Sequence, residues 1–221
     1  MAWRVRQVQA KAKHEQASVV SSAFEPAPAK IRAAPPLVPV VQRTPSQTPA
    51  PKVYVLTHQK DVVVRASAQG NLAPPRVTLS KAAHSWLNDR WQAARDKTGF
   101  PLKGPHYLEY SFPFPIVELE GVIINFEKAS CVDYYIDVIN ESTSVTSRVY
   151  DFQNQGQAKP FRKVHGQPKG NEITDMIEID KLFAESEGYN AVRITFRKPE
   201  TKWGTSVWWV ELEGRFAGHN M

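Results

Sequence analysis

Cysteine, early glycine and long apolar runs are scarce in this chain of 221 residues. Its one cysteine, Cys131, has no partner for an internal disulfide, so the core alone must hold the fold, and an oxidising compartment is not implied. The neighbours of Cys131 include no cation that would lower a thiol pKa, which predicts an inert, partly buried side chain. The absence of any run of 18 apolar residues excludes a conventional membrane-spanning helix.

Catalytic and metal-binding motifs are missing as well. The six histidines show no zinc spacing with one another or with Cys131. Serine elbows and dinucleotide fingerprints do not occur, and residues 166–170 lack the Lys-Ser/Thr ending of a phosphate loop. Glu118 and Glu120 could form a carboxylate pair on one side of a strand, although a solvated face is the simpler interpretation. We therefore predict that the protein is not an enzyme and has no cofactor and no metal.

Positive charge is concentrated near the N-terminus. Residues 1–52 carry eight Lys and Arg against two Glu, whereas the remaining residues carry 20 basic and 20 acidic side chains. Eight of the seventeen prolines lie between Pro26 and Pro51, and no glycine precedes Gly70. Repeated proline prevents helix and sheet hydrogen bonding, although residues 2–20 can form a short helix. Residues 1–75 are predicted to be a basic, mostly non-globular arm.

The arm is predicted to be a tether that crosses an acidic partner, such as a tubulin lattice, RNA or an anionic membrane. A plain linker with solubilising charge is the alternative, and nucleic acid is the least favoured partner. The basic residues predicted to contact the partner are Arg4, Arg6, Lys11, Lys13, Lys30, Arg32, Arg43 and Lys52.

The first 24 residues permit a different interpretation. They contain four basic residues, one acid and several Ser and Ala, which is typical of a mitochondrial presequence. A presequence and a binding arm therefore both remain open.

The rest of the chain has the pattern of an all-β domain. Short alternating runs separated by Gly and Pro predict antiparallel strands in a sandwich or barrel. The predicted strands are 107–112, 117–126, 132–139, 147–152, 172–179, 191–196 and 206–216, with possible edge strands at 53–56 and 62–65. Ser80 is expected to cap a short helix that turns Trp86 and Trp91 inward, and residues 180–188 are expected to form one helical turn.

Several runs resemble discoidin domains, also called coagulation factor type C domains. The stretch His106-Tyr-Leu-Glu-Tyr-Ser-Phe-Pro-Phe-Pro-Ile-Val-Glu-Leu-Glu-Gly-Val-Ile-Ile is similar to the family's strand, proline turn and second strand. Tyr134-Tyr-Ile-Asp-Val-Ile, Asn190-Ala-Val-Arg-Ile-Thr-Phe and Lys202-Trp-Gly-Thr-Ser-Val-Trp-Trp follow in the family's order. The resemblance implies an antiparallel jelly-roll β-sandwich of the galactose-binding-like type over residues 76–217, with a tail at 218–221. The secreted members' paired cysteines are absent, which favours an intracellular variant.

The same resemblance implies a sugar site in loops at one end of the sandwich. Aromatic stacking and directed polar groups are what a pyranose requires. The candidates are Trp86, Asn88, Asp89, Arg90, Trp91, Lys202, Trp203 and Thr205. The alternative is that Trp86, Trp91, Trp208 and Trp209 belong to the core, with Trp203 the most exposed. A calcium site built from Asn88, Asp89, Glu211 or Glu213 is a weaker alternative, because no acidic cluster resembles a calcium loop.

These observations predict a non-catalytic structural or scaffolding subunit of a large intracellular assembly. Its domain would dock on one neighbouring subunit while the arm reaches another. The cytoskeleton, and the ciliary axoneme with its tubulin in particular, is the first expected location, and a mitochondrial complex is the second. A carbohydrate-binding module that recognises a galactose-like sugar is the alternative function.

Overall fold

The computed structural model describes residues 53–68, 73–81, 89–167 and 170–218. Within these residues the regular structure consists of β-strands and three short 3-10 turns. The strands are β1 (Tyr54–Val55), β2 (Val63–Ala66), β3 (Trp91–Gln92), β4 (His106–Ser111), β5 (Ile116–Phe126), β6 (Cys131–Asn140), β7 (Val145–Asp151), β8 (Phe161–Gln167), β9 (Gly170–Leu182), β10 (Ala191–Pro199) and β11 (Ser206–Phe216). No helix in the described ranges is long and apolar enough to cross a membrane.

The strands form two antiparallel sheets. The first sheet has the order β1-β11-β5-β9-β8, and β3 pairs with β11. The second sheet has the order β2-β4-β10-β6-β7. Consecutive strands thus repeatedly change sheets, which is the connectivity of a jelly roll.

The core lies between the two sheets because one side chain in two along each central strand is apolar. Phe126 of the first sheet meets Tyr134 and Phe196 of the second at ring-centroid distances of 6.3 and 6.0 Å. Trp91 packs on Phe196 at 6.0 Å. The tilted and edge-on rings fill the space between the sheets, and their packing holds the sheets together without a disulfide.

The seven predicted main strands all occur, with ends that differ by up to three residues. The all-β antiparallel sandwich is therefore confirmed. The edge strands expected near residues 53–56 and 62–65 are also present as β1 and β2, paired with β11 and β4. These two strands belong to the sandwich although they fall within residues 1–75, the range predicted to be the arm.

Three local expectations require correction. The predicted strands leave residues 153–171 without a strand, whereas β8 pairs there with β9 as an edge strand. Apolar and polar residues alternate poorly along β8, because an edge strand buries little of either face. Strand β9 continues to Leu182, and the helical turn covers Glu185–Glu187 only. Trp91 lies in a strand and Ser80 follows a 3-10 turn, while residues 82–88 of the expected helix lie outside the described residues.

Candidate binding site

Trp203 projects from a tight turn at one end of the sandwich. In this turn the Gly204 amide donates to the Thr201 carbonyl at 3.3 Å, and the Trp203 amide donates to Thr201 Oγ1 at 3.2 Å. Gly204 has a φ of +83°, a conformation that favours glycine. The turn directs the indole outward, where it is 51% exposed.

A second loop, residues 95–102, lies beside this turn. Asp96 Oδ1 organises the loop by accepting hydrogen bonds from the Thr98 amide (2.8 Å), Thr98 Oγ1 (2.6 Å) and the Phe100 amide (3.0 Å). The hydrogen bonds, led by that of Thr98, lower the pKa of Asp96. Phe100 follows Gly99 and is 61% exposed, and Leu102 is exposed as well. The loop thus presents two more apolar side chains at the same end of the sandwich.

Arg95 joins the loop to the turn. Its Nη1 donates to the Gly99 carbonyl at 3.2 Å, and its Nη2 donates to the Trp203 carbonyl at 3.1 Å. Gln92 Nε2 donates to the same Trp203 carbonyl at 3.2 Å. A Cβ added to Gly204 would lie 3.2 Å from the Pro101 side chain, so the two segments are in close contact. Arg95, Phe100, Leu102, Lys202 and Trp203 are called the Trp203 rim below.

The rim is basic around its aromatic ring. The Arg95 guanidinium lies 5.4 Å from the Trp203 ring centroid, and Lys202 Nζ lies 5.2 Å from it. Cations at this range are attracted to the indole and restrain its orientation. The Trp203 indole thus offers an apolar surface that is bordered by hydrogen-bond donors.

The structure brings together only part of the predicted site. Lys202 and Trp203 are adjacent and exposed, and Thr205 is buried. Arg90 is buried against the Trp208 ring, at 5.4 Å, and burial lowers its pKa. Trp91 is fully buried, and its indole nitrogen donates to the Ala68 carbonyl at 3.1 Å, so it offers no surface to a ligand.

The other predicted residues are either half-buried or outside the described residues. Asp89 is half-buried. Trp86 and Asn88 lie outside the described residues, as do all the predicted arm contacts, Arg4, Arg6, Lys11, Lys13, Lys30, Arg32, Arg43 and Lys52. Among the tryptophans of the core alternative, Trp208 is buried and Trp209 is partly buried. That alternative therefore holds for Trp91 and Trp208.

Sequence reasoning missed Arg95, Phe100 and Leu102. An available signal was the run Thr98-Gly99-Phe100-Pro101, in which an aromatic residue stands between turn formers. Arg95 had no local signal, because its partners depend on the approach of the turn at residues 201–204.

The calcium alternative has little geometry to support it. Glu211 is on the face of the first sheet, where Lys81 Nζ lies 2.6 Å and His58 Nε2 lies 3.4 Å from its Oε1. In the part of the chain that the structure describes, no group of three or more His, Cys, Asp or Glu could hold a metal ion.

Comparisons with known proteins found similar solved structures only. The sequence matches no protein-family model, and no curated protein matches it significantly. Chitosan-binding module 1 of a Paenibacillus sp. IK-5 chitosanase/glucanase aligns with a TM-score of 0.47 and 19% identity over 72% of this chain and 98% of the module.

Two further solved structures align with this chain. A CBM32 module of Clostridium perfringens in complex with GlcNAc-α-1,4-galactose aligns with a TM-score of 0.44 and 13% identity, covering 76% of this chain and 99% of the module. Allantoicase of Saccharomyces cerevisiae aligns with a TM-score of 0.50 and 13% identity over 74% of this chain. The match covers only 43% of allantoicase. At these identities the comparisons bear on the fold alone, and the ligand is argued from the site.

Proposed function

We propose that the sandwich is a non-catalytic carbohydrate-binding module and that the Trp203 rim is its sugar site. The observation that carries the proposal is the half-exposed Trp203 indole on a turn fastened by Arg95, Gln92 and Thr201. A pyranose ring has one apolar face that stacks on such a surface. Because hydrogen bonds already hold the backbone of the turn, little backbone entropy is lost on binding.

Polar selectivity comes from the groups around the ring. Lys202 carries an exposed ammonium beside the indole, and Phe100 and Leu102 extend the apolar surface. A galactose-like sugar fits this chemistry because its hydroxyl groups lie at the edge of the ring while its apolar face stacks. The rim is shallow, so affinities on the order of micromolar to millimolar are expected.

Isothermal titration of the full chain with lactose and with chitotriose tests the proposal. Wild-type protein is expected to bind at least one of them, and Trp203→Ala is expected to lose the binding. Phe114→Ala removes an exposed aromatic side chain at the opposite end of the sandwich and serves as the matched control. Equal binding by wild type and Trp203→Ala, or no binding to a broad glycan array, would overturn the proposal.

A second candidate is a structural subunit that docks on another protein. Edge strand β8 favours it, because Phe161 and Val164 are 66% and 59% exposed there. Exposed apolar edge strands are sites where a partner can add a strand. The arm would supply a second attachment, in a cytoskeletal assembly such as the axoneme or in a mitochondrial complex.

The two candidates predict opposite results for one pair of variants. Phe161→Lys/Val164→Lys should remove co-purifying subunits while sugar binding persists if β8 docks a protein. Trp203→Ala should leave those subunits in place. Imaging of the tagged full chain in its native cell tests the proposed location.

A further inference from the structure

The outer face of the first sheet contains a groove of about 250 Å³ that is separate from the Trp203 rim. Gly121, Ile123 and Met176 contribute to its floor, and the carboxylates of Glu120, Glu178 and Glu213 border it. These six residues are called the carboxylate groove below. Strands β5, β9 and β11, which supply them, are neighbours in the sheet.

Strand register creates the groove. Gly121 of β5 pairs with Glu178 of β9 on one side and with Glu213 of β11 on the other. Because Gly121 has no side chain, a gap remains between Glu178 and Glu213. The backbones of these two residues are about 10 Å apart, which is twice the strand spacing. A Cβ on Gly121 would lie 3.3 Å from Glu213 Oε2, so the Glu213 carboxylate reaches over Gly121.

The next row of the sheet provides an apolar surface. Ile123 pairs with Met176 directly beside the Gly121 row. Both side chains are partly exposed on this face. The groove is thus apolar at one end and acidic at the other.

Several carboxylates elsewhere on the two outer faces have cationic partners. On the second sheet, Arg193 Nη2 lies 2.5 Å from Glu109, Arg148 pairs with Asp137, and Arg197 Nη2 lies 2.7 Å from Asp133. On the first sheet, Arg215 pairs with Glu118, and Lys81 pairs with Glu211.

The groove departs from this pattern. Among the described residues, no cationic group lies within 4 Å of the carboxylates of Glu120, Glu178 and Glu213. Burial raises the pKa of Glu120, and repulsion by Glu118, Glu213 and Asp180 raises it further, against an opposing effect of Arg215. A cation bound in the groove would relieve this repulsion.

We propose that the carboxylate groove binds a lysine or arginine side chain from an extended basic segment of a partner protein. The aliphatic stem packs on Ile123 and Met176, and the charged head lies between Glu178 and Glu213 above Gly121. Long basic side chains combine an apolar stem and a cationic head in this way. A cationic sugar fits less well, because the groove lining has no aromatic ring for stacking.

Fluorescence anisotropy with the full chain and fluorescein-labelled octalysine tests the proposal. Glu178→Gln/Glu213→Gln is expected to weaken binding about tenfold, because both carboxylates next to the charged head are lost. Asp61→Asn/Glu185→Gln changes net charge equally at exposed positions outside the groove, and its effect is expected to stay within about twofold. Circular dichroism melting curves verify that all variants are folded.

Three outcomes would overturn the proposal. Equal weakening by both double variants would show that only net charge matters, and unchanged binding by the groove variant would exclude the site. Binding of a glucosamine oligomer in place of octalysine, lost in the groove variant, would assign the groove to an amino sugar. Trp203→Ala is expected to leave octalysine binding intact, so failure of the sugar site and failure of the groove are distinguishable.

Discussion

Gly214 lies where the pairing register between β11 and β5 shifts. It pairs with Leu119 immediately after a register shift, and a Cβ placed on it would lie 2.1 Å from the Glu118 carbonyl oxygen. Backbone at this distance can move only if the two central strands separate. The close packing of β11 on β5 therefore requires a residue without a side chain at position 214.

Gly214→Ala is expected to destabilise the protein by about 3 kcal/mol or more, because overpacking against backbone has no flexible atom to yield. Urea unfolding followed by tryptophan fluorescence measures the change. Gly156→Ala is the control, because a Cβ there makes only an ordinary contact of 3.4 Å, and we expect a change within about 0.5 kcal/mol. Similar stabilities of the two variants would contradict the prediction.

Cys131 shows a second residue-scale effect. Its Sγ lies 2.9 Å from the Lys198 carbonyl oxygen and 3.0 Å from the Asp133 carbonyl oxygen, so its one S–H is shared between them, and burial raises its pKa to about 11. The thiolate is the reactive form, and a raised pKa lowers its fraction at pH 8.

Labelling of Cys131 by Ellman's reagent at pH 8 should therefore be slow in the folded protein and fast after unfolding in guanidinium. The folded-state rate is expected to keep rising with pH up to the raised pKa, because the thiolate fraction grows until that pH is reached. Rapid labelling of the folded chain at pH 8 would show that the thiol is accessible.

At the scale of elements, β8 is held to the sheet by an ion pair as well as by its ladder. Arg162 Nε lies 2.6 Å from Asp175 Oδ1, and Tyr134 Oη donates to Asp175 Oδ2 at 2.9 Å. Asp175 is fully buried. Arg162 Nη2 also donates to the Cys131 carbonyl at 2.7 Å, which links β8 to the start of β6 in the other sheet. A strand without strong alternation is thus fixed by one charged side chain.

Arg162→Met should cost about 3 to 5 kcal/mol, because it leaves the Asp175 carboxylate buried without its cation. Chemical unfolding measures the loss. Arg65→Met removes a partly exposed arginine from a surface pair and should cost at most about 1 kcal/mol. Comparable losses in the two variants would mean that the Arg162 pair adds little to the stability of β8.

At the scale of the whole molecule, charge is divided between the N-terminal arm and the rest. The excess of six positive charges lies in residues 1–52, and residues 53–221 are balanced. Long-range attraction to a polyanion should therefore depend on the arm.

The full chain is expected to be retained on heparin at low salt and to elute as salt rises, whereas deletion of residues 1–52 should abolish retention. The elution position of each protein is the measurement. Equal retention of both chains would assign the anion affinity to the basic Trp203 rim instead.

The sequence by itself determined the strands and the class of fold. Alternation of side chains along a strand is a local property, so the central runs at residues 116–126 and 206–216 could be recognised without their partners. The expectation that Trp203 is exposed was also confirmed. It could be made from the sequence because Trp203 stands in a Lys-Trp-Gly turn.

Only the tertiary structure decided which residues share a surface. The approach of Arg95 to Trp203, the burial of Trp91 and the placing of Gly121 between Glu178 and Glu213 all depend on pairing between distant strands. Register is set by the packing of the whole core, since a shift of one residue would exchange the two faces of a strand. The edge strand β8 escaped sequence analysis for a related reason: its stabilising contact, from Arg162 to Asp175, is polar and so lacks a hydrophobic pattern.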